Sequence, residues 1–313
     1  MEYRRVGNSG IKVSEISLGA WLTFGETLGL EETEACLRVA IDNGINFIDM
    51  ADVYAHGEAE RVVGQALKNL GVRRQDMVLS SKVYWPMSDN VNDRGLSRKH
   101  IFESIHQSLK RLGTDYLDFY FCHRYDPETP LEEVVRAMDD LVHQGKILYW
   151  GTSVWSAQHI SDAVDLAKSI NAYRPQVEQP RYNMFDRHIE TEGIMQTCAQ
   201  NGIGITVFSP LAQGILTGKY LKGIPKDSRA ARMPWLSEDE VVSYSTKVEE
   251  LSVIANELGL SLSQLALAWI LRRDEISSVI TGASRPEHIV SNVKASGVRL
   301  PSDVLATIEV ILS

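Results

Sequence analysis

The sequence of 313 residues predicts an α/β fold, a (β/α)8 barrel that forms a single domain over residues 1–313. Short apolar segments alternate with segments whose apolar residues recur at helical spacing. Eight strand candidates follow this rhythm, each succeeded by a helix, over about the length that such a barrel occupies. No change of composition and no low-complexity linker indicates a second domain.

The elements are predicted in order along the chain. Residues 3–6 and 11–13, joined by the turn sequence Gly7-Asn-Ser-Gly10, predict a β-hairpin that covers one end of the barrel. The strands of the barrel are predicted at 16–18, 46–49, 77–83, 116–122, 147–152, 176–179, 203–208 and 277–281. The helices are predicted at 31–43, 59–70, 98–111, 131–143, 157–169, 189–200, 261–272 and 286–294, with the apolar stripe of 262–271 in the core.

Two long loops interrupt this rhythm. Residues 84–95 begin with Tyr84, Trp85, Pro86 and Met87, and residues 211–237 contain several glycines and basic side chains. Both loops follow predicted strands, on the side where a barrel carries its active site. Loops of this length are usually functional or mobile. The apolar side chains of the first loop suit either packing at the barrel end or a substrate pocket, and we favour Trp85 and Trp21 as pocket residues.

The composition excludes several classes of protein. A net charge of −9 argues against a nucleic-acid surface, which requires a basic patch. Three widely spaced cysteines predict neither a disulfide framework nor a zinc site, and they indicate a reducing, intracellular setting. The first residues lack the apolar run of a secretory signal, and no segment is long enough to span a bilayer. We therefore expect a cytoplasmic protein with no membrane partner and no metal, either monomeric or a homo-oligomer.

Four ionisable side chains end three successive apolar strands. Asp49 and Tyr54 follow the second predicted strand, Lys82 ends the third, and His123 follows the fourth. Because neighbouring strands of a barrel end at the same rim, these groups should converge. A tyrosine beside a lysine is a proton donor whose pKa, about 10, the ammonium charge can lower. Such a set suits protonation of an oxygen during reduction of a carbonyl by hydride.

Each of these residues also has a simpler interpretation. A single strand-end lysine is usually solvated, a tyrosine is usually half-buried packing, and a histidine often lies in the core. Their joint occurrence at three successive strand ends favours function. Asp52, His56 and Glu58 have no evident partners elsewhere in the sequence, so we interpret them as loop and helix-start residues.

The sequence also resembles the aldo-keto reductases, and within them most closely the branch that contains the voltage-gated potassium channel β subunits. The resemblance runs nearly end to end, and no G-x-G-x-x-G fingerprint of a Rossmann domain is present, as expected for that family. It is carried by Asp49-Met-Ala-Asp-Val-Tyr54, Ser80-Ser-Lys82, Arg94-Gly-Leu-Ser-Arg-Lys-His100, Gly145-Lys-Ile-Leu-Tyr-Trp-Gly-Thr-Ser153, Val177-Glu-Gln179, Tyr182-Asn-Met-Phe185, Phe208-Ser-Pro-Leu-Ala212, Gly218-Lys-Tyr220 and Gly282-Ala-Ser284.

The resemblance implies a (β/α)8 barrel that binds NADPH and reduces carbonyl compounds, in a reaction that also runs in reverse. Tyr54 then corresponds to the general acid, Asp49 and Lys82 to its partners, and His123 to the residue that orients the substrate carbonyl. The substrate pocket would be formed by Trp21, Tyr54, Trp85 and His123. The mammalian channel β subunits carry asparagine at the position of His123, so the complete set implies a competent reductase.

The resemblance also assigns the cofactor site. Ser153 and Gln179 would bind the nicotinamide carboxamide, Phe208 would stack on its ring where the channel branch has tryptophan, and Ser284 and Arg285 would hold the 2′-phosphate. The phosphate assignment predicts a preference for NADPH over NADH. The full set of expected cofactor residues is Trp21, Asp49, Ser153, Gln179, Phe208, Ser209, Pro210, Leu211, Ala212, Gly214, Lys219, Arg229, Gly282, Ser284, Arg285, His288 and Asn292.

Two other functions are weighed against a reductase. The chain could be a cofactor-sensing regulatory β-type subunit of a potassium channel with weak or no turnover. The sequence lacks the long N-terminal extension that the mammalian subunits use on their channel, which disfavours this reading. A metal-dependent barrel hydrolase would need histidine and carboxylate ligands on several strand ends, and lysine and tyrosine are poor metal ligands.

Overall fold

The computed structural model describes residues 1–221, 223–225 and 238–313. Its strands include an antiparallel pair and eight parallel strands that close into a barrel, in which β10 pairs back to β3. They are β1 (Tyr3–Arg5), β2 (Lys12–Ser14), β3 (Ile16–Gly19), β4 (Phe47–Asp49), β5 (Val78–Val83), β6 (Leu117–Cys122), β7 (Ile147–Thr152), β8 (Val177–Glu178), β9 (Gly204–Val207) and β10 (Ile276–Gly282). The predicted (β/α)8 barrel is therefore confirmed.

Helices cover the outside of this barrel, which explains why β5 and β6 are buried along their whole length. In the described part of the chain they are α1 (Leu30–Asp42), α2 (Glu58–Asn69), α3 (Arg98–Leu112), α4 (Leu131–His143), α5 (Ala157–Ser169), α6 (His188–Thr191), α7 (Ile194–Gln200), α8 (Glu238–Ser243), α9 (Ser245–Glu257), α10 (Leu262–Leu271), α11 (Pro286–Asn292) and α12 (Ser302–Leu312). The apolar stripe on α10 is buried, as predicted.

Several helical regions differ from the prediction. The single helix expected at 189–200 is two helices, because Gly193 adopts a left-handed φ of 78° between them. The helix expected at 286–294 ends at Asn292, and a 3-10 turn follows it. Helices α8, α9 and α12 were not predicted.

The hairpin closes the barrel at the amino ends of the strands, as the turn sequence predicted. Val6 and Val13 pack into the barrel interior, against an apolar set of Phe47, Val78, Phe119, Phe121, Val177 and Ile280. The guanidinium of Arg4 pairs with Glu15 at 2.7 Å and donates hydrogen bonds to the carbonyls of Leu271, Arg273 and Ile276. With this end closed, the opposite rim is left for chemistry.

Within the described ranges, no single helix has both the length and the apolar character needed to cross a membrane. Only α9 and α10 together pass that test, and they are bent by 87° relative to each other.

Candidate active site

The predicted catalytic residues meet at the carboxyl rim of the barrel. Asp49 is the last residue of β4, Lys82 lies near the end of β5, and His123 directly follows β6. By the parallel register, Asp49 pairs with Ser80, two residues before Lys82, and Lys82 pairs with Phe121, two residues before His123. The three residues are therefore staggered by two positions from strand to strand, and all of them lie at the carboxyl rim.

The ammonium of Lys82 is the centre of the cluster. Lys82 is fully buried, and its three N–H groups are directed to Asp49 Oδ2 at 2.6 Å, the Met50 carbonyl at 2.7 Å and Tyr54 Oη at 3.2 Å. A buried ammonium is tolerated only when it is paired and hydrogen-bonded. Because all three donors are used, Lys82 is held in one position and points one N–H at the phenol of Tyr54.

Asp49 is held in place from both sides. Its Oδ1 accepts hydrogen bonds from Ser80 Oγ at 2.7 Å and from Gln179 Nε2 at 2.9 Å, while Oδ2 accepts from Lys82. Three strands therefore contribute to one polar network: Asp49 and Tyr54 belong to or follow β4, Ser80 and Lys82 lie on β5, and Gln179 directly follows β8.

A strained turn presents Tyr54 to the rim. Ala55 and His56 both have left-handed backbone conformations, with φ of 48° and 50°, which non-glycine residues adopt at a cost. The backbone N–H of Asp52 donates to the Lys82 carbonyl at 3.3 Å and ties this turn to β5. Backbone strain of this kind is concentrated at functional sites in proteins.

The protonation states suit a proton donor. Burial raises the pKa of Tyr54, and although the charge of Lys82 acts in the opposite direction, the net shift is upward. The ammonium charge thus lowers the pKa of Tyr54 as expected, but burial and the charge of Asp49 outweigh it. Burial lowers the pKa of Lys82, but Asp49 and Tyr54 outweigh it, so the pKa is raised and the lysine is charged. Burial, Lys82 and Arg124 hold the pKa of His123 well below its usual value, and its imidazole is neutral.

Aromatic rings form one wall beside the phenol. The ring of His123 lies 5.9 Å from that of Tyr54 and 6.3 Å from that of Trp85, edge to face in both cases. Trp85 packs in turn on Tyr84 at 5.1 Å. Trp85 is 38% exposed and Trp21, which follows β3, is 37% exposed, so both rings keep surface available for a ligand. The rings of Trp85 and His123 are thereby brought together.

The residues expected at the nicotinamide lie on the next three strand ends. Ser153 and Gln179 are buried, and Ser153 Oγ donates to the Gln179 carbonyl at 2.9 Å. Phe208 follows β9 and is half-buried, so one part of its ring can meet a ligand. Gln179 links this set to the catalytic cluster through Asp49.

The segment after β9 has an unusual backbone. Ser209, Ala212 and Gln213 have φ of 53°, 46° and 57°, and Gly214 has φ of 102°. The Asn183 amide donates to the Ser209 carbonyl at 3.1 Å and supports the turn. Pro210 and Ala212 are buried and Leu211 is half-buried, while Lys219 is exposed.

Three basic side chains come together near the start of α11. Burial lowers the pKa of His288, and the charges of Arg285 and Lys219 lower it further, so both charges lie within electrostatic reach of His288. Gly282, Ser284 and Arg285 are exposed, and Asn292 is buried. Arg229, also expected to contact the cofactor, lies outside the described residues.

Three residues near the site were missed or misread from the sequence. Ser80 supports Asp49, and its position two residues before Lys82, on the same face of β5, could have indicated this. Asp52 lies in a turn, as interpreted, but it is fully buried and accepts a hydrogen bond from Ser104 Oγ at 2.7 Å, so the inference that it has no partner is wrong. Arg124 lies beside Trp85, with its guanidinium carbon 5.6 Å from the ring centre.

In the described part of the chain, no group of three or more His, Cys, Asp or Glu side chains is arranged to hold a metal ion.

Comparison with known proteins gives consistent matches. Residues 15–313 match the model of the Aldo/keto reductase family. A rice protein (Oryza sativa subsp. japonica) named "Probable voltage-gated potassium channel subunit beta" is 47% identical over 100% of this chain and 97% of its own length. An Arabidopsis thaliana protein of the same name is 49% identical over 94% of this chain and 91% of its own length.

Proposed function

The chain belongs to the aldo/keto reductase family, and we propose that it reduces the carbonyl group of an aldehyde or ketone to an alcohol with NADPH, reversibly. The observation that carries the proposal is the buried Lys82 ammonium bonded to both Asp49 and Tyr54 at the open rim of the barrel. A fully buried cation carries a large desolvation cost, and perturbed ionisable groups of this kind are concentrated at functional sites.

The residues around the rim suit a dinucleotide. Lys219, Arg285 and His288 form a basic group at one end, where the phosphates of NADPH would be neutralised. The buried Ser153 and Gln179 offer polar atoms for the carboxamide, and the half-buried Phe208 offers a flat apolar surface for the ring. When bound, NADPH would supply the hydride for the substrate carbon.

Tyr54 would donate the proton that balances this reaction. Its oxygen accepts a hydrogen bond from Lys82, which leaves the phenolic hydrogen free to be directed at a substrate oxygen. As the proton leaves, the Lys82 ammonium stabilises the phenolate that forms, and Asp49 keeps the lysine in place. The products are the alcohol and the oxidised cofactor.

His123 would position the substrate. Its neutral imidazole can donate one N–H to the same carbonyl oxygen without competing with Tyr54 as an acid, since its pKa is held well below the usual value. The rings of Trp85 and Tyr84 would exclude water on this side of the substrate.

Replacement of the phenol by a benzene ring tests the proposal directly. We expect Tyr54→Phe to lower kcat/KM for a generic aldehyde by about 10²–10⁴-fold, the usual contribution of general acid catalysis. The dissociation constant of NADPH, measured by fluorescence titration, should change less than about twofold, because binding lies mainly on other strands. Tyr173→Phe, at an exposed ring that packs on His143, is the matched control. Undiminished turnover by Tyr54→Phe would refute the assignment.

A regulatory subunit is the second candidate, because the two relatives described above are named as channel β subunits. These relatives are covered over 97% and 91% of their own lengths, so chain length does not separate them from this protein. Tight NADPH binding with turnover too slow to follow, together with stable association with a channel, would support this function. A panel of aldehydes, ketones and sugars, followed by the loss of NADPH absorbance, distinguishes the two.

Analytical ultracentrifugation of the same sample would show whether the protein forms the homo-oligomer considered above.

A further inference from the structure

Arg124 is a half-buried cation in the wall of the active site. It directly follows His123, its side chain donates to the His123 carbonyl, and its guanidinium carbon lies 5.6 Å from the centre of the Trp85 ring. Its charge contributes to the pKa of both Tyr54 and His123. The guanidinium therefore lies within electrostatic reach of the atoms that would surround a substrate carbonyl.

In the described part of the chain, Arg124 forms no salt bridge. The acidic group that acts on it is Glu178, and burial raises the pKa of that carboxyl to about 7, so its charge is incomplete at neutral pH. Burial also lowers the pKa of Arg124 itself, and Tyr54, Glu178 and Tyr84 act against this shift without reversing it. A guanidinium that has lost part of its hydration is stabilised by an anionic ligand.

The cofactor has its own basic residues. Lys219, Arg285 and His288 form a group on the segments after β9 and β10, whereas Arg124 lies after β6 beside Trp85. The phosphates of NADPH therefore do not account for Arg124. If Arg124 had only a structural role, a neutral side chain that donates to the His123 carbonyl would be sufficient. The charge and the five N–H donors of a guanidinium would not be needed.

We propose that Arg124 binds a carboxylate on the substrate, so that the preferred substrates are aldehydes or ketones that also carry a carboxylate. The carboxylate would pair with the guanidinium beside Trp85 while the carbonyl oxygen lies between Tyr54 and His123. The inference rests on the proposed function, because it names the class of substrate for the same site.

The test compares 4-carboxybenzaldehyde with methyl 4-formylbenzoate, its neutral ester. We expect the wild-type protein to favour the carboxylate in kcat/KM, and Arg124→Met to lower the ratio of the two values by about 10- to 100-fold, mainly through KM. Arg124→Lys should retain part of the preference, since it keeps a charge but not the bidentate geometry. Arg136→Met, at an exposed arginine paired with Glu132 on α4, removes the same net charge elsewhere and should leave the ratio unchanged.

Three results would overturn the inference: no preference in the wild type, an equal loss for both aldehydes in Arg124→Met, or the same change of ratio in Arg136→Met.

A binding measurement separates this inference from the proposed function. Calorimetric titration of 4-(hydroxymethyl)benzoate and its methyl ester in the presence of NADPH measures binding without turnover, because an alcohol and the reduced cofactor cannot react with each other. Tighter binding of the acid that Arg124→Met abolishes would sustain the anion site even if neither aldehyde were reduced. In that outcome the reductase proposal fails alone.

Discussion

At the scale of single residues, the direction of one hydrogen bond defines the role of Tyr54. Lys82 has no acceptor, so it is the donor in the 3.2 Å contact, and the phenol keeps its own hydrogen for another partner. Burial raises the pKa of Tyr54, so the phenol holds its proton until a substrate oxygen becomes more basic. The same lysine then stabilises the charge that remains, which is why a donor with a raised pKa is still suited to this step.

A second residue-scale feature is the buried acid Asp52. Burial raises its pKa to about 7, although the hydrogen bond from Ser104 opposes this shift. Tyr120 Oη donates to the same Ser104 hydroxyl at 3.0 Å, so Asp52 ends a chain of polar groups between β4 and α3. Because the folded state keeps the proton at a pH where the unfolded state has released it, this group stabilises the fold at low pH. That stabilisation is lost as the pH rises towards 7.

We predict that Asp52→Asn makes the free energy of unfolding less dependent on pH. Between pH 4 and 7 the wild type should lose up to about 1.4 kcal/mol per pH unit more than the variant, since one proton is involved. Urea denaturation at pH 5, 6, 7 and 8 measures this difference. Asp162→Asn, at an exposed position on α5, is the control and should keep the wild-type slope. Equal slopes for Asp52→Asn and the wild type would show that Asp52 is ionised in the folded protein.

At the scale of elements, the two ends of the barrel have separate tasks. The hairpin of β1 and β2 closes the amino ends of the strands, and the loops after the carboxyl ends carry the site. Gly7, in the hairpin turn, has φ of 54°, and a Cβ there would lie 2.3 Å from the Gly202 carbonyl oxygen. Gly10, in the same turn, has no heavy atom within 4 Å of its Cβ position. Gly7 and Gly10 thus form a matched pair for testing how the hairpin contributes to stability.

We expect Gly7→Ala to lower the free energy of unfolding by about 2–4 kcal/mol, from the left-handed conformation together with the clash. Gly10→Ala should change it by less than about 0.5 kcal/mol. Urea denaturation measures both values. The kcat of folded Gly7→Ala should equal that of the wild type, because the hairpin lies at the end opposite to Tyr54. A comparable loss of stability in both variants would mean that the contact with Gly202 does not matter.

At the scale of the whole molecule, charge is distributed unevenly. The net charge is −9, yet Lys219, Arg285 and His288 form a local basic group at the rim. A long-range attraction for an anionic cofactor is therefore absent, and the expected affinity for NADPH depends on this short-range group. A ligand that binds only the folded state raises the free energy of unfolding. The contribution of these side chains to NADPH binding can therefore be measured as a change in that free energy for the entire barrel.

We predict that NADPH stabilises the protein by about 2.7 kcal/mol at a concentration 100-fold above its Kd, and that NADH at the same concentration stabilises it less. Arg285→Ala should weaken NADPH binding about 10- to 100-fold and leave NADH binding nearly unchanged, because only NADPH has the 2′-phosphate. Thermal unfolding with each cofactor, together with the ratio of activities, provides the measurement. Arg299→Ala, at an arginine paired with Glu2 near the opposite end, is the control. A preference for NADH that Arg285→Ala does not alter would reject the phosphate assignment.

The rhythm of the sequence was sufficient to predict the barrel. Strand β7 and helices α4 and α5 have the predicted bounds, since apolar residues at periods of 2 and 3.6 report local structure directly. Helices α9 and α12, in the last third of the chain, were not predicted, because the prediction there placed helices only next to the predicted strands. Gly193 divides one predicted helix because a left-handed residue depends on the local turn and not on the apolar pattern.

The sequence by itself determined which groups end at the rim, because parallel strands of a barrel bring Asp49, Lys82 and His123 to the same end of the barrel. Only the tertiary structure decided what surrounds them. The bond from Gln179 to Asp49 joins residues 130 positions apart, and the burial that controls the pKa of Tyr54, His123 and Asp52 depends on the packing of separate elements. Periodicity describes neighbours along the chain, whereas removal of water and pairing of charges depend on neighbours in space.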